Sequence, residues 1–170
     1  RLWTIALDIT VHMASYPSQK LAERTGQLRQ LGLGYANLGA LLMRLGLPYD
    51  SVEGRAYAAG LTAIMTGHAY ATSAEMAKDL GPFEGYKVNE GMMRRVIMNH
   101  RSAARGGTGF YDLTSPVQPL DRTRCPSSLM VWAEEAWDQA HELGLTHGYR
   151  NAQVTVIAPT GTIGLVMDCD

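Results

Sequence analysis

The chain has 170 residues, 46% of them hydrophobic and 18% charged, which is the make-up of a folded globular protein with one core and excludes a disordered chain. A formal net charge of −1 gives no basic surface for a nucleic-acid backbone. No apolar run approaches the roughly 18 residues of a membrane span, no start has the pattern of a signal peptide, and two distant cysteines, Cys125 and Cys169, form neither a disulfide framework nor a zinc site; a reducing cytoplasm fits.

In chain order, Leu2, Ile5, Ile9 and Met13 predict a helix over 2–15 with one buried stripe, ended by Tyr16-Pro17-Ser18. The polar stretch 17–29 reads as a loop. Leu28, Leu31 and Leu33 between polar residues and Gly32 and Gly34 predict a strand over 27–34 with a close backbone neighbour. Leu38, Leu41, Leu42 and Leu45 predict a short helix over 36–46, stopped by Gly46. Ser51 is the expected N-cap of a helix reaching Leu80, where Gly81-Pro82 ends it. That helix carries Ala58, Ala59, Gly60, Ala63, Gly67, Ala69, Ala71 and Ala74, small enough for a neighbour to pack closely.

Asn89 or a nearby polar residue is expected to cap a helix over 89–104, with Met92, Met93 and Met98 in the core. Arg105-Gly106-Gly107-Thr108-Gly109 lacks the spacing of a nucleotide loop and reads as a plain connection. Ser127 or Ser128 opens a helix through Leu143, with Gly144 as its terminator, and residues 151–158 predict a last strand. Two strands so far apart imply parallel crossover geometry. The chain is expected to be a single segment over 1–170, cut from a longer protein at both ends, with exposed apolar surface where other parts would cover it.

The five histidines show no ligand spacing, and no metal site is expected. Both cysteines read as buried structural thiols. The chemistry lies in Val154-Thr155-Val156-Ile157-Ala158-Pro159-Thr160-Gly161-Thr162-Ile163-Gly164, a β-branched run breaking into a turn. Amides converging where a strand gives way to a helix bind anions, because unpaired donors and the helix dipole both point outward there. Pro159 sets the entry angle, Thr160 and Thr162 add hydroxyls, and Gly161 removes a Cβ and tolerates positive φ. A turn that merely turns, within a non-catalytic helical interaction module, is the competing reading.

The wording of Ile157 to Asp170 closely resembles the substrate-phosphate loop of the adenosylcobalamin-dependent (class II) ribonucleotide reductases. The block Leu31-Gly32-Leu33-Gly34-Tyr35-Ala36-Asn37-Leu38-Gly39, continuing to Ser51, resembles a signature upstream of that loop in ribonucleotide reductase large chains. The resemblance covers essentially the whole chain. It implies an α/β fold, specifically a helix-rich partial arc of that family's ten-stranded α/β barrel. It implies conversion of ribonucleotides to deoxyribonucleotides by thiyl-radical chemistry with adenosylcobalamin, a ribonucleoside di- or triphosphate as substrate, and a thioredoxin-like dithiol as electron source. It also implies a homodimer as the expected form of the intact enzyme. Pro159, Thr160, Gly161, Thr162 and Ile163 would hold the phosphates. The family's Asn-x-Cys-x-Glu radical motif does not occur here, so no catalytic residue is expected on this segment and it should not turn over alone. A class I large chain is the alternative within the superfamily; Met167-Asp168-Cys169-Asp170 after the turn favours class II.

Overall fold

The computed structural model describes residues 1–169, which form seven helices: α1 (Leu2–Met13), α2 (Gln19–Leu28), α3 (Leu38–Arg44), α4 (Val52–Leu80), α5 (Tyr86–Ala104), α6 (Ser127–His147) and α7 (Gly161–Val166). The expected strands over 27–34 and 151–158 are not formed among the described residues; what joins them is one isolated parallel bridge, Leu33 with Thr155. The helix-rich part of the expectation is met, and the strands expected of an α/β arc are reduced, among the described residues, to this single bridge. The parallel direction is retained, and backbone bonds run from Ala152 N to Leu28 O at 2.9 Å, Leu31 N to Gln153 O at 2.8 Å, Leu33 N to Val154 O at 3.0 Å and Val156 N to Leu33 O at 2.9 Å. Too few successive pairings form to make a ladder.

The centre is the α4–α6 pair, and its cause is residue size. Ala133, Ala136 and Ala140 of α6 have no exposed surface. A Cβ on Gly67 would lie 2.9 Å from Ala136 Cβ, and one on Gly60 would lie 2.9 Å from Cys125 Sγ. Small residues at three- and four-residue spacing therefore let the axes approach, as the composition of α4 predicts. Around this seam gather Tyr70, Phe83, Tyr86, Trp137 and Tyr149 with Ile97 and Val154. The Tyr70 and Tyr149 rings meet edge to face at 5.7 Å and Phe83 and Tyr86 at 5.5 Å, geometries that the ring quadrupoles favour.

Several boundaries depart from expectation for identifiable reasons. The polar stretch 17–29 contains α2, because Ser18 is extended and its Oγ accepts from Leu21 N. In α5, Asn89 is inside the helix, where its Nδ2 bonds Gly85 O at 2.8 Å, so the helix opens at Tyr86. Gly144 does not end α6. The helix continues to His147 and is capped by Gly148 at φ 70°, while Gly144 makes room for the Tyr149 ring, whose hydroxyl donates to Ala140 O at 2.9 Å. The α4 boundaries are as expected, with Ser51 Oγ accepting from Gly54 N at 2.9 Å.

α1 buries a different face from the expected one. Thr4 and Asp8 are buried whereas Leu2 and Met13 stand about four-fifths and three-quarters exposed. Asp8 draws the helix inward by its partners. Its carboxylate pairs with Arg29 at 2.8 Å and accepts from Asn151 Nδ2 at 2.8 Å, and a buried charge must be matched in this way. Met93 is in the core, but Met92 and Met98 are exposed, against the expectation for all three. Exposed apolar surface is present, as anticipated, on α1 and on α7 at Leu165 and Val166.

Candidate functional site: an amide-lined cleft at α7

The segment that reaches the site is held firmly up to Val156 and then released. Val154 is fully buried, Thr155 Oγ1 shares a hydrogen bond with Thr66 Oγ1 at 3.3 Å, and the last backbone pairing is Val156 N to Leu33 O. Ile157, Ala158 and Pro159 are exposed. Thr160 then turns into α7 with φ 56° and ψ 39°.

The left-handed residue is thus Thr160, and Gly161 is not among the residues with positive φ, which corrects one of the two expected reasons for the glycine. Nothing in the protein lies within 4 Å of a Cβ built on Gly161. Its missing side chain opens space toward the cleft. Thr160 Oγ1 donates to Ala158 O at 3.0 Å, so that proton is used within the turn and the oxygen is left to accept. Among the described residues, the N–H groups of Gly161, Thr162 and Ile163 find no acceptor; the first amide of α7 that does is Gly164 N, which bonds Thr160 O at 3.2 Å. Pro159, which has no N–H, supplies the bend.

Across from this turn lies the block Tyr35 to Gly39, and the two enclose a cleft of about 360 Å³ with Tyr49 at its edge. Asn37 has φ 71° and opens α3 without a side-chain cap, so two left-handed residues each lead into a short helix beside one cleft. Tyr35 is tied to α4 by its hydroxyl, 2.9 Å from Thr62 Oγ1. The cleft lining includes no Asp, Glu, Lys or Arg. Of the five expected site residues, Pro159, Thr160 and Gly161 line the cleft, whereas Thr162 and Ile163 lie outside its lining.

Other candidates separate from this site. Cys125 is buried, and burial raises its thiol pKa, as expected of a structural cysteine. Cys169 is not fully buried and borders the cleft, which corrects the expectation for it. His100 retains exposed surface, yet its ring stacks on buried Trp137 at 5.0 Å and 3°, and burial lowers its pKa. Among the described residues, no group of three or more His, Cys, Asp or Glu is gathered. The Gly106–Gly107 connection is bonded back onto α5 through Gly107 N to Ser102 O at 2.8 Å. No helix among the described residues is long and apolar enough to cross a membrane.

A family model for the ribonucleotide reductase barrel domain matches residues 1–170. The chain belongs to this family. Within ribonucleotide reductases it is 61% identical, over its whole length, to the vitamin B12-dependent ribonucleotide reductase of Bradyrhizobium diazoefficiens, and 59% identical to the protein of the same name from Agrobacterium fabrum. It spans 14% of the length of each of these relatives. The ribonucleoside-diphosphate reductase subunit alpha of Chlamydia pneumoniae is 24% identical over 95% of the chain and 14% of that protein.

A buried polar cluster at the start of the segment that leads to the site escaped the sequence reading. Asp8, Arg29, Ser73 and Asn151 lie on four separate elements and are each more than nine-tenths buried. Asn151 is 143 residues from Asp8 and 78 from Ser73. No local pattern links positions so far apart.

Proposed function

We propose that this chain is a segment of an adenosylcobalamin-dependent (class II) ribonucleotide reductase and that residues 1–170 form one incomplete arc of its catalytic barrel. Pro159, Thr160, Gly161, Thr162 and Ile163 then bind the phosphates of a ribonucleoside di- or triphosphate. The identity gap between the relatives, 61% against 24%, supports the cobalamin-dependent reading over that of a subunit alpha. The observation that carries the phosphate reading is the run of three amides at Gly161, Thr162 and Ile163, unpaired among the described residues, the first of them on a residue that lines a cleft whose lining holds no carboxylate. Hydrogen bonds to a charged group contribute about 1.5–3 kcal/mol each, so three can hold a phosphate without an arginine.

The role of such an anchor is positional. Binding energy collected at the phosphate holds the ribose in place for chemistry performed by other parts of the enzyme. Adenosylcobalamin, when bound to the intact enzyme, supplies the radical chemistry, while the residues of this segment hold the substrate. A thioredoxin-like dithiol as reductant, a homodimeric assembly and a cytoplasmic location complete the proposal. The test is Thr160→Ala combined with Gly161→Val in the full-length chain. Ribonucleotide affinity is expected to fall at least about tenfold, because valine at 161 fills the open space beside the unpaired amides and alanine at 160 removes the bond that holds the turn; unchanged affinity removes the phosphate reading.

A further inference from the structure

We infer that Asn151 is a positioning residue for the Thr160–Ile163 turn, acting by setting the register of the segment that delivers it. This rests on the reading of that turn as the phosphate anchor. Asn151 Oδ1 accepts from Ser73 Oγ at 2.8 Å, while its Nδ2 donates to Asp8 Oδ1 at 2.8 Å and to Arg29 O at 3.0 Å. Its own backbone N–H donates to Ser73 Oγ at 2.9 Å, and the preceding Arg150 N–H donates to Ser73 O at 3.1 Å. One side chain is therefore bonded to α1, to the end of α2 and to α4 at once. The carboxamide is suited to the task because it offers an acceptor on one side and donors on the other.

The consequence runs forward along the chain. From the clamped Asn151, backbone bonds hold Ala152, Gln153, Val154 and Val156 against residues 28–33, and the free turn begins directly afterwards. At the far end of this rail, a Cβ on Gly34 would lie 2.5 Å from Val156 O, and one on Gly32 would lie 2.9 Å from Val156 Cγ1. The rail is thus fixed at both ends, and a slip would turn each side chain to the opposite face. Arg29 supplies both a partner for Asp8 and, through its carbonyl, one for Asn151, in a backbone conformation of φ 47° that a residue of its kind adopts at a cost. A buried ion pair adds little net stability over apolar groups of the same shape, because desolvation offsets the attraction. What directional bonds contribute here is register.

The test uses the full-length chain and compares a ribonucleoside 5′-di- or triphosphate with the unphosphorylated ribonucleoside. Asn151→Asp sets a second carboxylate against Asp8, and Ser73→Ala removes the hydroxyl that holds Asn151 at two points. Both variants are expected to raise KM for the phosphorylated substrate, Asn151→Asp by about tenfold or more, a loss of about 1.4 kcal/mol of phosphate binding, with the competition by the ribonucleoside unchanged. Combining Asp8→Asn with Asn151→Asp transposes amide and carboxylate across the same contact and should recover part of the loss. A merely structural role lowers the active fraction, seen in kcat, and leaves KM alone; that result in either folded variant overturns the inference, and Ser73→Ala decides if Asn151→Asp does not fold. Should the Thr160→Ala, Gly161→Val chain lose nucleotide affinity while both network variants keep it, only the positioning role fails. Should the loop variant keep its affinity, the anchor reading fails and the positioning role with it.

Discussion

The α4–α6 seam and the α7 turn both depend on glycine, for opposite physical reasons. At Gly60, Gly67 and Gly144 the space of the absent Cβ is filled by other protein atoms, so glycine is there to let the chain touch itself. At Gly161 the space is empty, and the adjoining amides are unpaired among the described residues. The contrast separates glycines that serve packing from one whose open side leaves room for the ligand proposed above. It also makes the two regions respond differently to the same kind of change.

The largest effect is expected in the seam. Gly67→Val puts a branched side chain where a Cβ alone lies 2.9 Å from Ala136 Cβ and 3.1 Å from Ala136 backbone carbon. The neighbour is a packed helix and cannot yield locally, so the axes must separate and uncover Tyr70 and Trp137. Overpacking of this kind costs about 3 kcal/mol, to be read as a lower melting temperature and denaturant midpoint of the full-length chain. An unchanged melting temperature would mean that the seam is softer than its alanines imply.

A smaller effect is expected where α5 meets α6 at the surface. Asp138 receives hydrogen bonds from Arg101, at 2.6 Å, and Arg105. Burial alone pushes its carboxyl pKa up, but the two arginines together outweigh burial and hold it below the usual carboxylate range. The unfolded chain therefore binds the proton more readily than the folded one. Stability from this pair is complete above the ordinary carboxylate pKa, about 4, and is lost as the pH falls through the depressed folded value. Because the group is partly open to solvent, Asp138→Asn should cost under about 1 kcal/mol at neutral pH. The variant should also flatten the acid limb of a stability-against-pH curve; a limb identical to the parent's would show that other carboxylates govern acid unfolding.

How far the sequence announces this structure follows the same division. α4 is legible end to end because its signals are local: a serine cap, a glycine stop and a run of small residues. The turn into α7 is local in the same way, since its proline, threonines and glycine are contiguous, and its anion binding remains the proposal made above. α2 is hidden because its cap is a single hydroxyl ahead of a polar stretch. The face that α1 buries is hidden because Asp8 meets Arg29 and Asn151, partners 21 and 143 residues away. The strand pattern at 28–33 and 152–156 is correctly read as parallel, yet alternation cannot tell a paired rail from a full ladder, which depends on neighbours outside either segment. Thr160 rather than Gly161 takes the left-handed conformation because a glycine is permitted positive φ but not obliged to adopt it.

The smallest change in stability should come from Gly161→Ala, and it discriminates most sharply. Gly161 is the first residue of α7 and lacks positive φ, so alanine meets no backbone penalty, and no protein atom lies within 4 Å of the new methyl group. Folding stability should stay within about 0.5 kcal/mol of the parent, tending upward as the unfolded chain loses freedom. A phosphate seated on the amides of Gly161, Thr162 and Ile163, by contrast, has to share its space with that methyl group. Nucleotide affinity should fall while the melting temperature holds, the reverse of what Gly67→Val produces. If affinity also holds, the open space beside Gly161 is not where the phosphate sits, and the amides of α7 lose their claim on the substrate even though they remain unpaired.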